Sequence, residues 1–95
     1  MAIELKPYDV AEYLSEEEDI RHYLEAAFED GDPAVIALAL GNVARARGMS
    51  KVAADAGISR AGLYKALGEG GNPSLETLTA ILRSFGMRLS VATAA

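Results

Sequence analysis

Hydrophobic positions recur along most of the chain at intervals of three and four residues. Ile20, Tyr23, Leu24, Ala27 and Phe28 keep the spacing that gathers side chains on one face of an α-helix. Ser15 followed by Glu18 makes a capping-box pattern ahead of them, so a helix is predicted over residues 16–30, with Gly31 as its left-handed stop. Asp32-Pro33 then sets a capping acceptor before a proline at the first helical position. Residues 35–46 carry Ile36, Leu40, Val43 and Ala44 on one face, predicting a buried helix that ends near Gly48. Two shorter segments follow, 50–56 and 59–67, each opened by a serine cap and separated by Gly57-Ile58. Past the loop Gly68-Glu69-Gly70-Gly71-Asn72-Pro73, Ser74 caps a last helix bearing Leu75, Leu78, Ile81, Leu82 and Phe85, ended by Gly86.

The two ends follow another rhythm. Ile3-Glu4-Leu5-Lys6 alternates too briefly to define an element, and Pro7 interrupts it, so this start reads as extended or irregular. The tail Met87, Arg88, Leu89, Ser90, Val91 alternates apolar and polar side chains with the period of a half-buried strand. A strand needs a backbone partner. The same strand of a second copy would give a two-fold dimer, and Ile3 to Leu5 of the same chain is the alternative.

Composition narrows the field. With 95 residues, 51% of them hydrophobic, the chain suits one small domain, because a second core would need roughly 50 residues more. It has no cysteine and a single histidine, His22, which leaves no disulfide framework, thiol nucleophile or histidine cluster; no metal or cofactor is expected. The longest apolar stretch, residues 34–40, is far short of the roughly 20 needed to cross a bilayer, and the start is acidic rather than signal-like. A cytoplasmic protein without membrane contact is expected.

The net charge of −5 hides an uneven distribution. Residues 1–33 hold eleven acids and two bases, a net −9, whereas residues 34–95 hold three acids and seven bases, a net +4. Five of those bases, Arg45, Arg47, Lys51, Arg60 and Lys65, fall within 21 residues that contain one acid, Asp55. A local excess of this kind attracts phosphate even on an acidic protein, although an ordinary solvated face has the same composition. The first-turn acids Glu16, Glu17, Glu18 and Asp19 suit the positive end of a helix dipole and equally suit a basic partner.

The stretch MSKVAADAGISRAGLYKAL, residues 49–67, joins the basic region to a specific geometry. Two short helices crossing steeply need a small residue at the close approach, Ala53, and one tolerant of positive φ in the turn, Gly57. Val52, Ala56, Ile58, Leu63 and Ala66 are expected to fill the corner, with Leu67 reaching the adjoining helices. The outward positions of the second helix, Arg60, Ala61, Tyr64 and Lys65 with Ser59 at its start, form a surface for the major groove of double-stranded DNA. Arg60 suits a bidentate contact to guanine, and small Ala61 and Gly62 allow close approach. Ser50 and Lys51 are placed for the phosphate backbone, joined by Arg45 and Arg47.

These segments resemble the addiction-module antidote proteins, HigA-like antitoxins with a Cro/C1-type helix-turn-helix. The resemblance runs through DVAEYLSEEEDIRHYLEAAFEDGDPAVIALALGNVARARGMS, the VAADAGISRAGLYKAL core and GNPSLETLTAILRSFGMRLSV. It implies an all-α, five-helix, lambda-repressor-like domain with a short C-terminal β-strand. It further implies a homodimer that represses its own operon from a pseudo-palindromic operator and neutralises a small basic toxin of the RelE/ParE-like class. Residues 1–33 would then be an acidic toxin-binding segment, with Glu16, Glu17, Glu18, Asp19, Glu25, Glu29 and Asp30 covering the toxin, and residues 34–95 the DNA-binding and dimerisation part. Arg60 and Ala61 stand where such helices often expose acids, so no operator sequence carries over.

Three other readings compete: a regulator without a toxin, a protein-interaction module on the same scaffold, and an enzyme. For the last, carboxylates are plentiful but lack a partner group, His22 beside Arg21 reads as a surface residue, and the glycine-rich loop follows a helix rather than a strand. The chain is not expected to be an enzyme. If Arg60 reads a base and Lys51 a phosphate, Arg60→Ala relaxes sequence preference, whereas Lys51→Ala weakens binding to all sequences alike and flattens its salt dependence. Titrations against specific and random duplexes check this, and equal losses on both duplexes for both variants would refute the assignment.

Overall fold

The computed structural model describes residues 14–94 and is all-helical over them. Five helices follow in order: α1 (Glu17–Asp30), α2 (Pro33–Arg47), α3 (Met49–Ala56), α4 (Arg60–Leu67) and α5 (Leu75–Ser84). No helix among the described residues is long and apolar enough to cross a membrane.

Three side-chain caps form where the sequence places them. Asp32 accepts from the Ala34 amide at 2.9 Å, Ser59 from Gly62 at 2.9 Å and Ser74 from Thr77 at 3.1 Å. Two expected caps do not. Glu16, in extended conformation, occupies the cap position of α1 and makes no side-chain cap, so Ser15 lies outside the helix; Glu18 turns to Arg21 instead of reaching back. Likewise α3 begins one residue early, on Gly48 and Met49, which moves Ser50 into the first helical turn. Met49 is buried, and this anchoring draws it into the helix.

Helices α2 and α3 form the centre: α2 packs against α1, α3 and α4, and α3 against α2, α4 and α5. Phe85, Leu40, Leu63, Ile81, Val43 and Val52 are its largest fully buried side chains. Ala53 is buried where α3 meets its neighbours, and Gly57 turns the chain at φ +73°, a left-handed conformation natural to glycine. Val52 and Leu63 fill the α3–α4 corner completely, while Ala56, Ile58 and Ala66 pack against the core only in part. Between α4 and α5, a Cβ on Gly71 would lie 2.2 Å from the Ala66 carbonyl oxygen, so this loop closes tightly onto the end of α4.

After α5 the Met87 amide bonds back to the Leu82 carbonyl at 2.9 Å, and the chain continues without a strand through residue 94. The expected C-terminal β-strand is therefore absent from the single chain, because strand structure requires a neighbouring backbone and this segment has none among the described residues. Alternation persists in part: Met87 and Leu89 pack onto the core, Arg88 and Ser90 are exposed, and Val91 is 97% exposed. The alternative partner, Ile3 to Leu5, and the irregular start lie outside the described residues.

Leu63, with no accessible surface, holds α4 onto the centre. Leu63→Ala is expected to cost about 2–5 kcal/mol, by lost transfer energy plus the cavity left behind. Urea unfolding measures it, and a loss below about 1 kcal/mol would show that α4 is held elsewhere.

Candidate nucleic-acid interface

The outer side of α4 is organised from its first residue. The Ser59 hydroxyl oxygen closes the N-terminus on the Gly62 amide. Arg60, Ala61, Tyr64 and Lys65 are all exposed. The Arg60 guanidinium lies 5.5 Å from the centre of the Tyr64 ring and donates to its hydroxyl at 3.3 Å. An exposed cation–π contact contributes about 0.5–1 kcal/mol, enough to order the arginine fork without burying it.

Gly62 has a role that the sequence reading did not anticipate. A Cβ there would lie 3.0 Å from the Ser59 hydroxyl oxygen, so glycine leaves room for the cap.

Ser50 and Lys51 stand exposed on the first turn of α3. Lys51 is paired with Asp55 one turn on, at 2.9 Å. Exposed pairs of this spacing contribute only about 0.3–0.5 kcal/mol, so the ammonium exchanges readily to a stronger anion. Lys65 borders a polar cleft between α4 and the glycine-rich loop, shared with Ser74 and Thr77.

The two arginines at the end of α2 part company. Arg45 is exposed and donates to the Asn42 side-chain oxygen. Arg47 is half-buried, its guanidinium 5.8 Å from the centre of the Phe85 ring and its Nε buried without a hydrogen-bond partner. The structure thus groups Arg60 with Tyr64 and turns Arg47 toward the core. Arg45 joins the α4 side through a shallow depression between α2 and α4, lined by Leu38, Gly41, Asn42, Arg45, Met49, Tyr64, Leu67 and Gly68. Gly41 allows that approach: a Cβ there would stand 3.4 Å from the Leu67 carbonyl oxygen.

Asn42 escaped the sequence reading. It is buried, and its amide nitrogen donates to the Tyr23 hydroxyl at 2.7 Å, bridging α1 and α2. Its signal was available, since residues 34–44 hold no other polar side chain.

All seven acids named for the toxin, six on α1 and Glu16 at its cap position, are exposed. Glu18, Glu25 and Glu29 share one strip by their spacing, with Arg21 and His22 beside them. Arg21 bonds Glu18 and, at 2.9 Å, Glu25, so two acids of the strip are already partnered. The hydrogen bond and charge of Arg21 hold the Glu18 carboxyl below the usual carboxylate range, and Glu18 raises Arg21 in turn. His22 lies 3.4 Å from Glu18. Glu17 reaches toward Gly86, which sets the start of α1 beside the end of α5.

Among the described residues, five helices, the first of them acidic, and an arginine ordered on tyrosine define a small all-helical protein with charged faces suited to macromolecular contact. The chain belongs to the probable addiction module antidote protein family, whose model matches residues 4–93. It is 45% identical over 91 residues to an uncharacterized protein of Haemophilus influenzae, covering 96% of this chain and 94% of that protein. No solved structure matches it. Membership carries an antitoxin role and implies a toxin as partner.

Gly62→Ala gains about 1 kcal/mol of helix propensity but presses on the cap, itself worth about 1 kcal/mol. Its effect on stability in the natural chain is expected to be near zero. In a Ser59→Ala background the full gain of about 1 kcal/mol should appear. Urea unfolding of the four-member cycle reads the coupling, and equal gains in both backgrounds would deny that Gly62 makes room for the cap.

Proposed function

We propose that this protein is the antitoxin of a type II toxin–antitoxin module, which neutralises a RelE/ParE-like toxin and represses its own operon by binding DNA. The observation that carries the DNA half is Arg60, exposed on a capped helix and ordered over Tyr64. In this reading α3 and α4 are a Cro/C1-type helix-turn-helix. Ser59, Arg60, Ala61, Tyr64 and Lys65 address base edges, and Ser50, Lys51 and Arg45 address phosphates. Arg47 enters only by leaving Phe85.

Two copies join through residues 87–91, where Val91 offers an apolar side chain with no cover of its own. The two recognition helices then sit about 34 Å apart on a pseudo-palindromic operator. Residues 1–33 serve the toxin. Membership in the antidote family supports that half, and the exposed acids of α1 supply the charge complementary to a protein that grips RNA. The work is binding, with no catalytic step.

The purified protein is expected to prefer duplex DNA from immediately upstream of its own gene over a scrambled duplex of equal composition. Equal binding to the two removes the repressor assignment. Reversing charge at Glu17 and Glu18 should weaken capture of the small basic protein encoded beside it, most strongly at low salt. An affinity unchanged by that reversal would dismiss the acidic helix as the toxin's contact.

A further inference from the structure

Among the described residues Asn42 is the buried polar side chain of the core, 6% exposed, in a helix otherwise apolar on that side. A buried amide is tolerated when both its ends are hydrogen-bonded, and here both are: the nitrogen donates to Tyr23 at 2.7 Å and the oxygen accepts from Arg45. The orientation follows from the guanidinium, which has donors only and so requires the amide oxygen. Tyr23, on α1, takes the nitrogen end and so holds in place the amide whose oxygen meets Arg45. Arg45 in turn lines the same depression as Tyr64, on which Arg60 rests.

From this geometry we infer that Tyr23 and Asn42 are positioning residues for Arg45, aiming its guanidinium so that it holds a phosphate of the bound duplex beside α4. The inference rests on the DNA-binding reading above. Phosphate contacts are blind to sequence, so a random-sequence DNA duplex is a sufficient probe, titrated at several salt concentrations and followed by fluorescence anisotropy.

Arg45→Ala is expected to reduce the salt slope by about one phosphate. Tyr23→Phe, which removes one hydroxyl, should weaken binding about fivefold, the size of one ordinary hydrogen bond. The double variant should bind no worse than Arg45→Ala alone, because the hydroxyl acts through the arginine. Asn42→Leu, which keeps the packing and leaves no unpaired amide, should match Tyr23→Phe. Thermal melting establishes that each variant is folded at the assay temperature.

A natural chain that ignores the duplex at low salt overturns the DNA-binding reading itself. Binding that is lowered by Lys51→Ala but untouched by Arg45→Ala or Tyr23→Phe keeps that reading and overturns this inference. So does a Tyr23→Phe loss that adds in full to the loss of Arg45→Ala.

Discussion

The corner between α3 and α4 governs this molecule. Each of those helices has only eight residues, too short to be stable alone in water, so each exists by virtue of what it buries. Val52 and Leu63 are buried in the same core with almost no accessible surface, Ala53 permits the approach, and Gly57 reverses the chain in a left-handed conformation. Everything displayed on the outer side of α4 inherits its position from this apolar contact. The charged residues are thus carried by the core rather than holding it together.

Much of this was legible because it is local. Three- and four-residue periodicity located α1, α2 and α5, serine caps and the Gly57 turn located α3 and α4, and Asp32, Ser59 and Ser74 cap where they stand in sequence. Where tertiary contacts compete, sequence spacing fell short. Burial of Met49 starts α3 early and takes the cap from Ser50, and Arg21 draws Glu18 away from Ser15. Arg47 belongs to a basic run in sequence yet lies over Phe85, the residue that closes α5, which no local pattern connects to it. Asn42 was passed over although it is the one polar side chain in residues 34–44, and its partner lies 19 residues earlier across a helix interface. The tail kept its alternation without becoming a strand, since alternation describes which side chains are covered and cannot supply a second backbone.

The division of charge acquires a physical form in the fold. Six acids lie on α1, partly balanced by Arg21, while the bases of the middle sit on α2, α3 and α4, around the centre. A net charge of −5 would repel DNA as a whole, so any attraction has to be short-ranged and act within roughly a Debye length of the basic side chains. Membership in an antidote family implies a toxin as partner, and under the proposed function this separation would leave it a surface apart from the DNA.

The chain has no tryptophan and four tyrosines, of which Tyr64 lies beneath the Arg60 guanidinium and Tyr23 accepts from the Asn42 amide. Intrinsic ultraviolet emission from this protein is consequently tyrosine emission alone, and two of its sources report on those two contacts. The fold thereby carries its own optical reporters, needing no attached dye.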